Sequence, residues 1–357
     1  MKKKVLVAVL NWGLGHAVRS IPVVKAFLDH DYEVLLGGNG SSGELLHKEF
    51  PQLRYVEFPS FEMKYSSGKS QVGAVFLSLP HLFASLWKDH RFVCHLVKEE
   101  GIDVVFSDNR FGLYCKNCHT VYMTHQLLIK MPGPVSFLEP LVKALHGYLI
   151  SKYDECWVPD FSDMKNLAGD LSHPQMNLKV RYVGPLSRFP KNGGIAVSLK
   201  YKFLFILSGI EPQRSILEKK ILNLFEERVG LPSCLLVRGV ESPFLNDTVY
   251  PNLKIENVLS GEILLGLLQV SDCVVCRSGY TSIMELASIS HKAVLIPTPG
   301  QTEQEYLANY LSSQYSMFAS VNQNDLSWRV LIAAEKSLTE EFINFDPSLL
   351  EEVVERI

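Results

Sequence analysis

The sequence predicts an α/β protein made of two doubly wound parallel-sheet domains in tandem. Its 357 residues suffice for two domains that each bury a core. Short runs of β-branched residues alternate with longer amphipathic segments, a pattern typical of strand–helix–strand units. The alternation breaks at 183–200, where prolines, paired glycines and polar residues predict a linker. We expect domains over 1–188 and 189–357, with the last helix free to pack back on the first domain.

The first domain begins with a strand and continues by alternation. Its strands are predicted over 4–10, 32–38, 53–59, 102–108, 120–125 and 155–160. These runs are almost continuously apolar, which indicates a sheet covered on both faces. Helices are predicted over 17–30 and 44–50, where apolar residues recur at helical spacing.

The same alternation restarts after the linker. Strands are predicted over 202–209, 233–239, 252–258, 272–279 and 292–298, and helices over 214–227, over 282–289 and from about Glu303. Parallel strands present their carboxyl ends at one edge, where doubly wound sheets bind ligands. We therefore expect the loops after the strands of both domains to face one cleft and to carry the function.

Composition and charge narrow the class of protein. A net charge of -3 provides no electrostatic basis for binding nucleic acid. The basic, apolar start of the chain ends at Asn11 without a cleavage-site pattern, so we interpret it as the first strand and expect a cytoplasmic protein. No stretch reaches the roughly eighteen apolar residues of a membrane-spanning helix.

The sequence contains two Cys-x-x-Cys pairs but favours metal-independent chemistry. Cys273 and Cys276 lie on a predicted strand, whose alternation would point them to opposite faces of the sheet, and they are far in the sequence from the other pair. Cys115 and Cys118, with His119 beside them, form a weak metal half-site and are better explained as reduced thiols around a turn. The Asp-x-Asp pair at 29–31 precedes the second strand, at the amino edge of the sheet, which is the wrong side for a metal-bound nucleotide.

The stretch "NWGLGHAVRS" at 11–20 follows the first strand. Gly13 and Gly15 permit a sharp turn and close approach to a ligand at the start of a helix. A dinucleotide-binding loop would have a third glycine where Val18 stands and an acidic residue after the second strand, so a dehydrogenase is disfavoured. His16 is either a general base or a residue that caps the helix, and spacing does not separate the two.

Two further loops of the first domain carry polar residues. Asp108, Asn109 and Arg110 follow one strand, where the alternative is an Asx turn with a solvated arginine. His125 and Gln126 follow the next strand at the same predicted edge. Two histidines from separate loops therefore converge, which favours a site over isolated histidines.

The loop at 207–215 of the second domain offers Ser208 and Gly209 to a phosphate, with Arg214 as a charge partner. The alternative is that Glu211-Pro212 simply begins a helix. The sequence does not choose between these interpretations.

The loop at 276–305 is the most informative. A strand is predicted to end at Arg277. A turn follows at Ser278 and Gly279, and a helix starts near Thr281, which together can hold a pyrophosphate. Glu285 lies in that helix, where Ser282-x-x-Glu285 also fits a capping box, which spacing alone favours. The following loop contains several amides and carboxylates, which are groups that bind sugar hydroxyls. They are Gln301, Glu303 and Gln304.

These motifs resemble those of a known family. "GLGH" after the first strand and "VVCRSGYTSIMELASISHKAVLIPTPGQTEQEYLAN" near the end resemble the GT-B glycosyltransferases, in particular the family 28-like group that contains MurG and the diacylglycerol glycosyltransferases. The resemblance spans nearly the whole chain. It implies the GT-B fold, two Rossmann-like domains facing each other across a cleft, with a nucleotide-sugar, commonly a UDP-sugar, bound mainly by the second domain and the acceptor by the first.

The resemblance also implies residue roles. On the donor side these are Val258 and Leu259 near the uracil, Glu285 on the ribose hydroxyls, Ser278 and Gly279 beside the diphosphate, and Gln301 and Gln304 on the sugar. The asparagine that usually follows these glutamines is displaced here to Asn309. Gly13, Gly15 and His16 match the acceptor-side loop, to which we add Asn109, Arg110 and Gln126.

The implied reaction is inversion by direct displacement, without metal or cofactor. His16 is the first choice for the base, with Asp108 and His125 in reserve. The helix after Ser278 and Gly279, together with Arg214 or Arg277, would meet the charge of the departing diphosphate. Two alternatives stay open: a UDP-sugar 2-epimerase of the same fold, and a catalytically silent sugar-nucleotide-binding protein.

We expect the acceptor to be a glycan, a lipid or a small molecule. Apolar segments with Lys and His occur at 71–97 and 134–152. We interpret them as buried helices. The alternative is a patch that contacts the inner membrane surface peripherally, for a lipid-linked or cell-envelope acceptor.

Overall fold

The computed structural model describes residues 2–357 except 60–70, 164, 175, 191–193, 196–198, 227–229 and 243–249, and describes only the backbone of 71–83. The chain divides into two compact units, unit 1 (Met1–Leu186 with Asp346–Ile357) and unit 2 (Ser187–Phe345). Parts of the predicted linker (183–200), of the apolar segment at 71–97 and of the helix at 214–227 lie outside the described residues.

Unit 1 contains a seven-stranded sheet. Its strands are β1 (Lys4–Val9), β2 (Glu33–Gly38), β3 (Tyr55–Glu57), β4 (Val104–Asp108), β5 (His119–Met123), β6 (Glu155–Val158) and β7 (Val180–Tyr182). Their order is β3-β2-β1-β4-β5-β6-β7, and every neighbouring pair is parallel. The connections are formed by α1 (Gly15–Asp29), α2 (Gly40–Glu49), α3 (Gln71–Glu100) and α4 (Glu139–Ile150), with a 3-10 helix at Gly133–Leu138 before α4.

Unit 2 repeats the plan with six strands. They are β8 (Tyr201–Ile206), β9 (Cys234–Val237), β10 (Leu253–Glu256), β11 (Ser271–Cys276), β12 (Ala293–Leu295) and β13 (Phe318–Ser320), in the order β10-β9-β8-β11-β12-β13 and all parallel. Its helices are α5 (Gln213–Asn223), α6 (Gly261–Val270), α7 (Tyr280–Ser288), α8 (Thr302–Gln314) and α9 (Trp328–Ser337). The predicted α/β class with doubly wound parallel sheets is confirmed.

The C-terminal helix α10 (Ser348–Glu355) belongs to unit 1. Its Glu351 lies 3.0 Å from Nε2 of His30, at the end of α1, and Leu349 packs near Gly184. The end of the chain is therefore anchored on unit 1.

Burial explains the apolar strands. The five residues Val5 to Val9 of β1 are fully buried, since β1 has a strand on each side and helices over the sheet. The cores are rich in Val, Leu and Phe, as expected for sheets covered on both faces. Among the described residues, no helix is both long and apolar enough to span a membrane.

The sequence pattern misses several elements. It assigns nothing to α6 and α9 or to β7 and β13. The α6 sequence, "GEILLGLLQV", is so apolar that it shows no helical spacing, and short apolar runs do not distinguish strand from helix.

The expectation that 134–152 is buried is wrong. Phe137, Leu141, Leu145 and Tyr148 are 74%, 67%, 43% and 60% exposed, and only His146 and Ile150 of α4 are buried. Apolar residues occur on both sides of this helix, and periodicity alone does not show which side is covered.

Candidate functional site

The polar residues at the carboxyl edge of the unit 1 sheet come from three adjacent segments. His16 lies in the first turn of α1, directly after β1, and Asp108 is the last residue of β4, paired in register with Val9 of β1. His125 follows β5, the next strand of the sheet. β1 and β4 flank the point where the strand order reverses, which is where ligands bind in such sheets.

Arg19 joins these three side chains. Its Nε donates to Asp108 Oδ1 and Oδ2 at 3.1 and 2.9 Å, and its Nη2 also contacts Asp108. Its Nη2 lies 2.9 Å from Nδ1 of His16 and its Nη1 lies 3.1 Å from Nδ1 of His125. Ser20 adds a 3.3 Å hydrogen bond to Asp108. We call Arg19, Asp108, His16 and His125 the edge cluster.

The sequence motif does not single out Arg19. A usable signal is nevertheless present, because Arg19 stands three residues after His16 within a buried run that includes Ala17, Val18 and Ile21. A charged residue on the buried face of a helix needs a partner.

Charges within the edge cluster shift its pKa values. Burial by itself would raise the pKa of Asp108, but Arg19 and His16 together lower it to about 2. Burial lowers the pKa of His16, the charge of Arg19 lowers it further, and Asp108 opposes both. At neutral pH this arrangement holds an ionised carboxylate 3.3 Å from Nδ1 of a neutral imidazole.

The loop residues around the edge cluster differ in exposure. Gly13 has φ +86°, and no atom of the described residues lies within 4 Å of the position its Cβ would take, which suits the approach of a ligand to the backbone. Gly15 begins α1. Asn109 adopts φ +59° and accepts a 2.7 Å hydrogen bond from Tyr122, and Gln126 is half-buried.

Arg110 does not point into this loop region as the sequence suggests. It is 2% exposed, pairs with Asp89 of α3 at 2.8 Å, and donates to Asn39 at 3.0 Å and to the Val9 carbonyl at 3.2 Å. Its guanidinium also lies over the ring of Phe58. A direct acceptor contact by Arg110 is therefore not supported; its placement is that of an anchor between β4 and α3.

We expect Arg110→Met to lower the free energy of unfolding by about 3–5 kcal/mol, because it removes the guanidinium that pairs with the buried carboxylate of Asp89. Denaturant-induced unfolding followed by circular dichroism would measure the loss. Arg54→Met, which removes an exposed ion pair with Glu100, is the control and should unfold at an almost unchanged midpoint. Equal midpoints for both variants would contradict the anchor role.

In unit 2, a glycine stands at the N-cap of α7. Gly279 makes no side-chain cap hydrogen bond, and among the described residues no atom lies within 4 Å of the position its Cβ would take. The N-terminus of a helix favours an anion. The Ser278 side chain is fully buried and donates to the Gln304 carbonyl at 2.8 Å, so it fastens this turn to α8 rather than facing a ligand.

Glu285 does not form the predicted capping box. The helix begins at Tyr280, so Ser282 lies within its first turn and not at the N-cap. Glu285 is instead 8% exposed and has its Oε1 2.8 Å from Nε of Arg188. Burial raises the pKa of Glu285, and Arg188 opposes that rise. Arg188 lies in the predicted linker, where nothing in the spacing marks it as a partner.

The two arginines expected beside the diphosphate are committed to protein contacts. Arg214 pairs with Glu211 and Glu218, each at 2.6 Å. Arg277 is 1% exposed, and its guanidinium donates to the carbonyls of Gln213, Ile296 and Pro297 and to the side chain of Gln323. Burial lowers the pKa of Arg277 to about 10. Direct phosphate contacts by these two side chains are therefore not supported.

The other predicted donor residues lie in loops and first turns. Ser208 and Gly209 are exposed after β8, Val258 is 53% exposed, and Leu259, Thr281, Ser282, Gln301 and Glu303 are half-buried. Gln304 is buried, with its Oε1 accepting from the Thr298 N–H at 2.9 Å. It shapes the loop rather than presenting its amide oxygen.

Cysteine and acidic side chains do not form a metal centre in the part of the chain that the structure describes. No group of three His, Cys, Asp or Glu residues is arranged there to hold an ion, and Cys115 and Cys118 carry free thiols.

Comparisons with known proteins agree with this architecture. Residues 262–341 match the model of the glycosyltransferase family 28 C-terminal domain. An uncharacterized glycosyltransferase of Methanosarcina acetivorans is 24% identical over 325 residues, which cover 85% of this chain and 81% of the relative. The UDP-N-acetylglucosamine--N-acetylmuramyl-(pentapeptide) pyrophosphoryl-undecaprenol N-acetylglucosamine transferase of Haemophilus influenzae is 35% identical over 72 residues, 20% of each chain.

The fold is that of the GT-B glycosyltransferases. MurG of Acinetobacter baumannii superposes with a TM-score of 0.59 at 13% identity, covering 100% of this chain and 99% of that one. The match over 262–341 and the named relatives make this chain similar to the family 28 glycosyltransferases.

Proposed function

We propose that this chain is an inverting, metal-independent glycosyltransferase that moves a sugar from a UDP-sugar to an acceptor hydroxyl. The observation that carries the proposal is the contact between ionised Asp108 and Nδ1 of neutral His16 at the carboxyl edge of the unit 1 sheet. A carboxylate that accepts the Nδ1 proton of an imidazole raises the basicity of Nε2, which is what a general base requires.

The donor side of the proposal rests on unit 2. The positive end of the α7 dipole, with a glycine at the N-cap, suits a diphosphate, and we assign Glu285, in the second turn of the same helix, to the ribose hydroxyls. Both features lie within the part of the chain that matches the family 28 domain model.

The reaction proceeds by one displacement. The acceptor hydroxyl transfers its proton to Nε2 of His16 as its oxygen attacks the anomeric carbon. The bond from that carbon to the diphosphate oxygen breaks, and the nucleoside diphosphate leaves with the electron pair. The positive N-terminal end of the α7 dipole stabilises the charge that develops on the departing phosphate.

Release of nucleoside diphosphate tests the function. A transferase releases it from a UDP-sugar in proportion to an added acceptor, and a screen of sugar, lipid and small-molecule acceptors should find at least one that stimulates release. Interconversion of two UDP-sugars without acceptor would establish the epimerase alternative. Donor binding without turnover across the screen would establish the silent binding protein.

The acceptor proposal rests on the exposed residues of α4 and the turn before it. Phe137, Leu141, Leu145 and Tyr148, which we call the α4 stripe, recur at helical spacing along one side. Lys152 lies 4.4 Å from the centre of the Tyr148 ring, and Lys143 stands on the same helix. An apolar stripe with basic neighbours suits the surface of an anionic membrane, so we propose a lipid-linked acceptor.

We expect the double variant Phe137→Ser and Leu141→Ser to reduce retention on phosphatidylglycerol vesicles roughly tenfold or more. Burial of each apolar side chain in the membrane surface would contribute about 1.5–3 kcal/mol to the binding free energy. Co-sedimentation measures the retention. Phe342→Ser is the matched control, since Phe342 is 84% exposed in unit 2, and it should bind as the unchanged chain does. Equal retention of the unchanged protein, the double variant and the control would contradict a membrane contact through the α4 stripe.

A further inference from the structure

Two groups compete for one nitrogen of His16. Nη2 of Arg19 lies 2.9 Å from Nδ1, and Oδ1 of Asp108 lies 3.3 Å from the same atom. A guanidinium only donates hydrogen bonds, so it needs a lone pair on Nδ1, whereas an ionised carboxylate only accepts, so it needs a proton there. A neutral imidazole satisfies one of them at a time.

The two choices have opposite chemical consequences. When Arg19 occupies Nδ1, the ring proton is on Nε2, and that nitrogen is a donor. When Asp108 occupies Nδ1, the ring proton is on Nδ1, and Nε2 carries the lone pair that a general base requires. The shorter distance belongs to Arg19, so the geometry favours the first tautomer.

Arg19 is firmly held in this position. It is 3% exposed, its Nε and Nη2 engage Asp108, and its Nη1 lies 3.1 Å from Nδ1 of His125. A planar guanidinium places its donors at fixed angles, so the contact with Asp108 also directs the contact with His16. Among the residues that the structure describes, the charged and titratable groups that act on His16 are Arg19 from α1, Asp108 from β4 and His125 from the segment after β5.

We propose that Arg19 is a positioning residue that selects the tautomer of His16 by occupying Nδ1. The protein without substrate then carries His16 with its proton on Nε2, and the ring becomes a base when Nδ1 passes its contact from Arg19 to Asp108. The catalytic consequence rests on the proposed function, but the tautomer itself does not.

The tautomer is measurable without any substrate. Long-range ¹H–¹⁵N spectra of protein labelled with ¹⁵N-histidine distinguish a protonated Nε2 from a protonated Nδ1, and His16→Gln identifies the signal. We expect the Nε2–H form in the unchanged protein at neutral pH. Arg19→Met removes the competing donor and should convert His16 to the Nδ1–H form, bonded to Asp108. Predominance of Nδ1–H in the unchanged protein would overturn the proposal.

Arg19→Met also removes the counter-charge of buried Asp108, which threatens folding. Arg19→Lys keeps that charge, but its single ammonium does not reproduce the fork that engages Asp108 and both histidines, so the same change of tautomer is expected. A His16 signal with the proton still on Nε2 in the folded variants overturns the proposal.

Kinetics provide the readout that a purely structural role would not move. In Arg19→Met we expect the acidic limb of the kcat/KM profile to shift to higher pH, because the guanidinium lowers the pKa of His16 and Asp108 raises it. A loss of kcat/KM by one factor at all pH values would assign Arg19 a structural role only. If no acceptor supports transfer while the NMR change occurs, the proposed function fails and the tautomer assignment stands.

Discussion

His16→Ala is expected to lower turnover by about 10²–10⁴-fold while leaving the affinity for the donor unchanged, because it removes the group that we propose takes the acceptor proton. His16 belongs to unit 1, whereas the groups assigned to the donor belong to unit 2. Donor affinity is measured by isothermal titration calorimetry, and turnover by release of nucleoside diphosphate with a saturating acceptor.

The control for this variant is His30→Ala. His30 ends the same helix but pairs with Glu351 of α10, away from the edge cluster, so its loss should leave turnover unchanged. Turnover of His16→Ala within a fewfold of that of the unchanged enzyme would contradict the assignment of His16 as the general base.

The same assignment predicts a pH dependence. His16 acts as a base only when neutral, and burial and Arg19 lower its pKa. Activity should therefore persist below the ordinary histidine pKa of about 6.5 and fall as the pH drops through the lowered value. An acidic limb at or above the ordinary pKa in the unchanged enzyme would contradict this environment for His16.

Glu285→Gln is expected to weaken donor binding by roughly ten- to a hundredfold, since a hydrogen bond to a charged group contributes about 1.5–3 kcal/mol. Gln preserves the shape of the buried side chain but removes the charge that faces Arg188 and that we propose binds the ribose hydroxyls. The affinity for UDP, measured by calorimetry, isolates this effect from the acceptor and from the chemical step.

A comparison with 2′-deoxy-UDP makes the test specific. In the unchanged protein, loss of the 2′-hydroxyl should weaken binding, whereas in Glu285→Gln the two nucleotides should bind almost equally, because the partner of that hydroxyl is gone. Glu340→Gln, at an exposed carboxylate of the same unit, should preserve the full discrimination. Equal discrimination in Glu285→Gln and in the control would show that Glu285 does not bind the ribose.

The parts of the edge cluster that the sequence predicts follow from one rule. A strand that is buried on both faces appears as an apolar run, and polar residues at its end must lie at the carboxyl edge of a parallel sheet. That rule brings His16, Asp108 and His125 together, because β1, β4 and β5 are neighbours. It applies equally to Arg110, yet this side chain turns back to Asp89 on α3, a helix that the pattern does not relate to it.

The donor side shows a similar contrast. The sequence predicts a helix start after the turn at Ser278 and Gly279, and the helix does begin there. The sequence does not predict the partner of Glu285, because Arg188 is almost one hundred residues away in the chain and lies in an irregular segment. The buried guanidinium of Arg277 likewise depends on carbonyls from two separate segments, at Gln213 and at Ile296 and Pro297.

The sequence by itself determined the α/β class, two parallel sheets, the glycine-rich start of α1 and the residues that end β4 and β11. These features depend on local periodicity and on which residues tolerate a turn, so they are written in neighbouring positions. Only the tertiary structure decided that Arg19 stands between Asp108 and both histidines, that Arg188 faces Glu285 and that one side of α4 is bare. Ion pairs and the exposure of a helix face depend on which segments, distant in the sequence, come into contact. The local sequence pattern does not predict those contacts.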